Sequence, residues 1–311
     1  MAIDLTDPVF TDETKARAHL EAIRWPDGPV CVHCGSVDKV YRLNGTKHRP
    51  GLIHCNDCDG SFTVTTGAVM ESSHVPLNKW VLAYRLMAGS KKGISAHQMH
   101  RTIAVTYKTA WFMCHRIRES MRDAAPTPMG GEGKVIESDE AYWGTKDVET
   151  DPKKKRSRKG KPGPGGKSRI LTLVERGGRS RSFKMDDLRT ETIHRVLREN
   201  ASTKSRLMTD EGTDHNFEFL SHEKVKHGAM EYVRGDVTTN TVEGFFSVFK
   251  RGMRGTYQHC GEQHLQRYLD EFDFRYSNRV ALGISDAERA LRAIKGAEGK
   301  RLTYQGSRSA K

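Results

Sequence analysis

The sequence predicts a multidomain α+β protein, and three features lead to that prediction. Two Cys-x-x-Cys pairs lie near the amino terminus, and two apolar runs that end in aspartate occur further along the chain. Segments with helical periodicity lie between these motifs and after the last of them. A chain of 311 residues is long enough for two or three domains. We therefore expect a small metal-bound module, a helical segment and an α/β core, in that order.

The cysteine pairs predict one structural zinc ion per chain. Twenty residues separate the two pairs, a spacing typical of two loops that close on one tetrahedral ion. The expected ligands are Cys31, Cys34, Cys55 and Cys58. Four thiolates complete such a site, so His33 and His54 are expected to lie outside it. Cys114 and Cys260 have no comparable spacing and are interpreted as buried thiols.

The next segment is predicted to be helical and to contain a helix-turn-helix. A helix is expected over Pro76–Gly89, a short second one over Ser95–Ile103, and a third one that begins at Thr106 after a tight turn. The start of the last helix is where recognition helices contact base edges. The residues expected to contact DNA are Thr106, Tyr107, Lys108 and Arg116. The alternative is a plain helical linker.

The α/β core is indicated by two short strand-like runs, each ending in an aspartate. Lys134–Asp139 follows a glycine-rich break, and Arg206–Asp210 follows a helical pattern over Thr190–Asn200. Strands are also expected over Ile170–Glu175 and Arg181–Met185. An acidic residue at the end of a strand often only terminates it. Carboxylates on separate rigid elements are also what hard divalent cations require.

A two-faced helix follows the second aspartate. Its apolar side contains Val242, Phe245, Phe246 and Phe249. Its polar side contains Asn240, Glu243, Ser247 and Lys250. Such a polar row is usually only a solvated face. With two strand aspartates upstream, however, the order strand Asp, strand Asp, helix Glu fits a ribonuclease-H-like core. A later apolar stripe at helical spacing is expected to cover its sheet: Leu265, Tyr268, Leu269, Phe272 and Tyr276.

Taken together, these motifs resemble the ISXO-like group of bacterial insertion-sequence DDE transposases, which carry an amino-terminal zinc ribbon. The resemblance runs from Asp12 to Asn278 and is most specific over residues 232–247. It implies that two Mg²⁺ or Mn²⁺ ions are bound by a triad separated by 71 and 33 residues: Asp139, Asp210 and Glu243. It also implies that Lys250 is the basic residue after the glutamate and that Asn240 is an accessory.

The resemblance implies a transposase that binds the terminal inverted repeats of its mobile element and catalyses metal-dependent strand cleavage and strand transfer. Pairing two element ends implies at least a homodimer. Two alternatives remain open: a DNA-binding regulator with a degenerate core, and a host nuclease that hydrolyses without joining. The neighbouring carboxylates that would be tested after the triad are Glu137, Glu140 and Glu211.

The charge of the chain agrees with a double-stranded DNA partner. The net charge is +13 and the isoelectric point is about 9.5. Residues 152–169 hold nine Lys or Arg, four Gly and three Pro, and the rest of the chain carries 13 − 9 = +4. This loop is expected to contact phosphates through Lys153, Lys154, Lys155 and Arg156. The alternative is a disordered, solvated loop.

The motifs divide the chain into five expected segments. They are a lead helix (1–25), the zinc ribbon (26–75), the helix-turn-helix-like segment (76–125), the ribonuclease-H-like domain (126–280), and a carboxy-terminal helix with a tail (281–311). The tail from Ala297 is expected to be disordered. With no long apolar run and no basic, apolar leader, the protein is expected in the bacterial cytoplasm, associated with the nucleoid.

Overall fold

The computed structural model describes residues 4–144, 166–210, 219–225, 231 and 233–303. These residues form two compact units, one drawn from Met1–Arg122 and Gly283–Lys311 and the other from Asp123–Leu282. The first unit therefore gathers the lead helix, the ribbon, the helix-turn-helix and the carboxy-terminal helix. None of the helices that the structure describes combines the length and apolar character needed to cross a lipid bilayer.

The helices and strands are numbered here in chain order. The helices are α1 (Glu13–Arg24), α2 (Leu77–Gly89), α3 (Ala96–Ile103), α4 (Tyr107–Met121), α5 (Thr190–Asn200), α6 (Asn240–Gly252), α7 (Leu265–Ser277) and α8 (Asp286–Lys295). The strands are β1 (Val40–Arg42), β2 (Ile53–Cys55), β3 (Gly60–Phe62), β4 (Val135–Trp143), β5 (Ser168–Glu175), β6 (Ser180–Met185), β7 (Arg206–Asp210) and β8 (Ser221–Val225).

The zinc-ribbon segment is a three-stranded antiparallel sheet in the order β1, β2, β3. Each strand is only three residues long, too short to be stable as an isolated sheet. Ile53 and Phe62 are fully buried, and the Phe62 ring packs edge-on against Trp25 at 5.7 Å between centroids. So small a core fits a module whose folding a bound metal would stabilise.

The helix-turn-helix has the predicted boundaries. α3 is capped by the Ser95 hydroxyl, which accepts the Gln98 N–H at 3.1 Å, and α4 by the Thr106 hydroxyl, which accepts the Thr109 N–H at 3.2 Å. Between them Ala104 adopts a left-handed conformation with φ of 50°, unfavourable for a residue with a Cβ. The packing of α3 on α4 holds this sharp turn.

The carboxy-terminal helix belongs to the first unit. α8 packs on α2, α1 and α4, and Arg289 donates through Nη1 to the Ala88 carbonyl at 2.9 Å. The expectation that the tail is disordered from Ala297 is wrong at its start. Ala297 is buried and accepts the Val69 N–H at 3.2 Å, and Gly299 donates to the Gly67 carbonyl at 2.9 Å. Backbone pairing therefore extends the ordered region beyond α8.

The second unit has a five-stranded mixed sheet in the order β6, β5, β4, β7, β8. The three strands β4, β5 and β6 pair antiparallel, whereas β7 and β8 run parallel to β4. This is the ribonuclease-H-like arrangement that the order of the carboxylates predicted. It makes β4 the central strand and places β7 directly beside it.

Helices cover both faces of this sheet. On one face α6 and α7 form a largely aromatic core with β4 and β5: Ala141, Ile170, Val174, Val242, Phe245, Phe246, Phe249, Leu265, Tyr268, Leu269 and Phe272. On the other face α5, through Ile193 and Leu197, packs against the alternate strand residues: Ile136, Leu171, Leu173 and Leu207. The apolar stripe predicted for α6 is thus buried, and so is the one predicted for α7, except that Tyr276 is only partly buried.

Three strand predictions need correction. β4 does not end at Asp139 but continues to Trp143, because β5 pairs with it along that whole length. β5 begins at Ser168, so Arg169 belongs to the sheet and donates to the Asp186 carbonyl at 2.7 Å rather than lying in the basic loop. Strand β8 was not predicted at all.

Candidate active site and zinc site

Asp139 and Asp210 are brought together where the parallel part of the sheet stops. β4 and β7 pair in parallel only as far as Glu137 and Met208. β7 then ends at Asp210, while β4 continues against β5 with Asp139 opposite Thr172. Both aspartates therefore lie just beyond the last parallel pair, where β7 no longer covers the side of β4.

The carboxylate cluster contains Glu140 as well as the two aspartates. Oxygens from Asp139, Glu140 and Asp210 all lie within 4.8 Å of one another. Among the described residues, Glu243 stands outside this cluster, and its Oε1 accepts the Thr239 hydroxyl at 3.0 Å. Of the triad implied by the resemblance, the two aspartates lie together with Glu140, and the charge of Glu243 acts on Asp139 from a longer distance.

The carboxylates of this cluster repel one another in a partly buried setting. The pKa of Asp139 is raised to about 6, mainly by burial and further by the charges of Asp210 and Glu243. The Glu140 N–H, which donates to Asp139 at 2.7 Å, and Lys250 lower it again. Burial, followed by the charges of Asp139 and Asp210, raises the pKa of Glu140 to about 7. A cation would relieve these costs.

The donor set and spacing fit divalent metal. Oxygens bound to one Mg²⁺ at about 2.1 Å lie at most roughly 4.2 Å apart. A cluster within 4.8 Å needs only small side-chain movements to bind one ion, or can share two ions about 4 Å apart. The repulsion among the carboxylates of Asp139, Glu140 and Asp210 would then be replaced by their attraction to the cation.

The polar face of α6 lies beside this cluster. Lys250 is close enough to lower the pKa of Asp139, and its Nζ lies 5.6 Å from the centroid of the Phe246 ring. Asn240 is the first residue of the helix, is exposed, and donates its N–H to the Thr238 hydroxyl at 3.1 Å. The polar face of the helix thus presents a cation, which borders the aromatic stripe at Phe246, and an amide.

The four cysteines of the ribbon converge as predicted. Their sulfurs lie within 4.8 Å of one another, with 3.6 Å between Cys31 and Cys58 and 3.6 Å between Cys34 and Cys55. Tetrahedral zinc with bonds of about 2.3 Å places sulfurs roughly 3.8 Å apart, so the four thiolates fit the ion. His54 instead contacts Ser61 at 3.1 Å through Nδ1.

The two other cysteines differ in burial. Cys114 is 1% exposed, as expected for a buried thiol. Cys260 is only partly buried, and its sulfhydryl donates to the Gly261 carbonyl at 3.4 Å. The interpretation of both as buried thiols is therefore correct for Cys114 and wrong for Cys260.

Three residues predicted to contact DNA are exposed at the start of α4. Tyr107 is 44% exposed, and its ring stacks on His97 at 4.3 Å between centroids. Thr106 and Lys108, on either side of it, are exposed. Arg116 is partly buried and donates to the carbonyls of Glu71 at 3.0 Å and Leu302 at 3.2 Å, so its guanidinium also holds parts of the unit together.

Several predicted residues lie outside the described part of the chain. They are Glu211 and the four basic-loop residues Lys153, Lys154, Lys155 and Arg156. Two functional candidates had no assigned role in the sequence, Glu137 and Arg176. The sequence held one signal for the first of them: a carboxylate inside the apolar run of a central strand has to be compensated by a partner.

The fold and the site together define a class. A zinc ribbon, a helix-turn-helix, and a ribonuclease-H-like domain with clustered carboxylates at the end of its parallel strands are the parts of a DDE transposase. The ISXO2-like transposase domain matches residues 130–277, and the transposase zinc-ribbon domain matches residues 11–61. A protein of Halobacterium salinarum, "Uncharacterized protein in transposable element ISH50", is 31% identical to this chain over 278 residues. The matched region covers 86% of this chain and 91% of the length of that protein. The chain belongs to the ISXO2-like transposases.

Proposed function

We propose that this transposase binds the terminal inverted repeats of an insertion sequence, cleaves a DNA strand there, and joins the freed end to target DNA. The observation that carries the proposal is the convergence of Asp139, Glu140 and Asp210 within 4.8 Å in a member of this family. Mg²⁺ or Mn²⁺ bound there would supply charge stabilisation and an activated nucleophile for phosphodiester chemistry.

The residues around the cluster have separate roles in this proposal. Asp139 and Asp210 hold the catalytic cations, with Glu243 as a further ligand from α6. Lys250, which already acts electrostatically on Asp139, binds a phosphate of the cleaved strand. Asn240, exposed at the start of the same helix, contacts the substrate as an accessory. The alternative to Glu243 as the third ligand is Glu140, which lies closer to the aspartates.

The proposed activity is tested by incubating purified protein with labelled element-end DNA and Mg²⁺. Asp139→Asn, Asp210→Asn and Glu243→Gln are each expected to abolish cleavage while leaving binding of the end DNA largely intact. The control is Glu191→Gln, which removes an exposed carboxylate from α5, outside the cluster. Near-normal cleavage by any of the three variants would remove that residue from the metal site.

The products of the same assay separate the alternatives. A transposase yields both cleaved ends and joined product, whereas a hydrolytic nuclease yields cleaved ends alone. A degenerate regulator yields neither, although it still binds the ends. Cross-linking the complex with end DNA tests the proposed dimer, because pairing of two ends requires at least two chains. We place its action on nucleoid DNA in the cytoplasm, where element ends are found.

We further propose that DNA contacts are divided between the two units. The ribbon (26–75) and the helix-turn-helix segment (76–125) choose the element ends, and the basic loop of the catalytic domain (126–280) binds phosphates. Neutralising residues 153–156 is expected to weaken binding of specific and random DNA alike. The slope of log affinity against log salt concentration should become shallower by up to about 4. Loss of sequence preference instead would reverse the assignment.

A further inference from the structure

Glu137 is a completely buried carboxylate that the proposed chemistry does not use. It lies on the central strand β4, two residues before Asp139, and has no exposed surface. A charged carboxylate in such a place is strongly destabilising unless hydrogen bonds and an opposite charge compensate it. The groups that form these hydrogen bonds and supply the opposite charge indicate the role of Glu137.

Both oxygens of Glu137 bind the first turn of α6. Oε2 accepts the N–H of Thr241 at 2.7 Å and the N–H of Val242 at 3.0 Å, and Oε1 accepts the Thr241 hydroxyl at 2.8 Å. The residue that precedes this helix, Thr239, makes no side-chain cap to the backbone. The cap therefore comes from the central strand, and its negative charge suits the positive end of a helix.

Arg176 ties the segment before α6 to the same carboxylate. Its Nε donates to Glu137 Oε1 at 2.5 Å. Its Nη1 donates to the Asp236 carbonyl at 2.8 Å, and its Nη2 to the Thr238 carbonyl at 2.9 Å. We call Glu137 and Arg176, with the backbone groups that they bind on both sides of the helix start, the Glu137 clamp.

The clamp acts on the residues next to Glu243. Val242, whose N–H is held, precedes Glu243 directly, and Thr239 donates its hydroxyl to the Glu243 carboxylate at 3.0 Å. The aromatic side chains of α6 pack against the sheet, but packing of rings alone allows small shifts along the helix axis. Metal ligands must be placed to about 0.5 Å. A bonded helix start provides that precision.

We propose that Glu137 and Arg176 are positioning residues that hold Glu243 beside the Asp139, Glu140 and Asp210 cluster, as a further ligand for the catalytic cations. This inference rests on the proposed function, because it assigns a task to the Glu243 helix. The competing explanation is that the buried pair only stabilises the fold. The two explanations differ in one respect: a residue that acts through Glu243 loses its effect on metal binding once Glu243 is removed.

The experiment is a double-mutant cycle on full-length, zinc-loaded protein. Binding of Mn²⁺ alone is measured by electron paramagnetic resonance for Glu137→Gln, Glu243→Gln, the double variant and wild type. Glu137→Gln is expected to weaken Mn²⁺ binding about 10-fold, the low end for residues that orient metal ligands. In the Glu243→Gln background the same change is expected to weaken it less than about 2-fold.

Asp273→Ala is the control for fold stability. Asp273 is a buried carboxylate that fixes α7 to β6, accepting the Ser182 N–H at 2.7 Å and the Ser180 hydroxyl at 2.8 Å. It belongs to the same unit but makes none of the clamp's hydrogen bonds. Alanine leaves both donors without their acceptor, so the variant should lose thermal stability and keep its Mn²⁺ affinity, which would show that a weakened fold does not by itself weaken the metal site.

Arg176→Lys keeps the test decisive if Glu137→Gln does not fold. Lysine preserves the charge beside Glu137 and removes the fork to the Asp236 and Thr238 carbonyls. It should also weaken Mn²⁺ binding only when Glu243 is present. Equal losses of Mn²⁺ affinity in the wild-type and Glu243→Gln backgrounds, or no loss of affinity in a folded variant, would overturn the inference. If wild type itself neither binds Mn²⁺ nor cleaves DNA, the proposed function fails instead.

Discussion

Replacing Asp139 by asparagine is expected to make the protein more stable while it abolishes cleavage. In protein without a divalent ion at the carboxylates, Asp139 is a partly buried acid whose pKa is raised to about 6 from the ordinary 3.8. Its charged form is therefore destabilised by folding. Asparagine keeps the shape and can still accept the Glu140 N–H, but carries no charge.

The pH dependence follows from the direction of this shift. Between pH 3.8 and about 6 the folded protein binds the proton more tightly than the unfolded chain, so stability falls as the pH rises. Above about pH 6 Asp139 is ionised in both states, and the stability lost through this shift no longer changes with pH. A difference of roughly two pKa units corresponds to about 3 kcal/mol, an upper value because the buried amide also has a desolvation cost. Well below pH 3.8 the aspartate is protonated in both states and the variant gains nothing, and at pH 4 most of the gain is already lost.

The assay is thermal unfolding of the zinc-loaded protein, dialysed free of Mg²⁺, at pH 8 and pH 4. For a unit of this size about 3 kcal/mol corresponds to a rise in Tm of roughly 6–12 °C at pH 8. Adding Mg²⁺ should raise the Tm of wild type much more than that of Asp139→Asn, because only wild type retains the full ligand set. A variant that is no more stable than wild type at pH 8 would refute the account of Asp139 as a partly buried carboxylate whose charge destabilises the fold.

Three further predictions concern other parts of the chain. Cys31→Ser should lower bound zinc from one ion per chain towards none and unfold the ribbon while sparing the catalytic unit; elemental analysis showing full zinc would contradict it. Replacing Tyr107 and Lys108 by alanine should reduce the preference for element ends over random DNA, with a smaller change in nonspecific affinity, measured by binding titrations over a salt series. Phe249→Ala should lower the free energy of unfolding by about 3–5 kcal/mol in urea titrations, whereas a change below about 1 kcal/mol would show that the aromatic core is loosely packed.

Features set by local spacing were predictable from the sequence. The two faces of α6 follow from a period of 3.6 residues, and the zinc ligands from the spacing of two cysteine pairs. The helix-turn-helix boundaries depend on capping residues next to the helices themselves, Ser95 and Thr106. Each of these signals is a pattern of residue types at fixed spacing along the sequence. It can therefore be recognised without knowing how distant parts of the chain pack.

Features that depend on distant partners could not be predicted in this way. Glu137 bonds to Arg176, 39 residues away, and to Thr241, 104 residues away, and no local pattern announces such a pairing. Adjacent strand residues usually point to opposite faces, so Glu140 was not expected to join Asp139. Strand β8 has a single fully buried apolar residue, Val225, and therefore lacks the alternation that identifies a strand.

The pairing of the carboxy-terminal helix with the first unit has a consequence for synthesis. The catalytic unit, Asp123–Leu282, is inserted between two parts of the other unit, and α8 is translated after both. Because domains fold as they emerge from the ribosome, the second unit can fold before the first unit receives the helix that packs on α1, α2 and α4. Truncation after Leu282 would thus keep every residue of the second unit and leave the first unit without α8. The first unit can be completed only after the second has been translated.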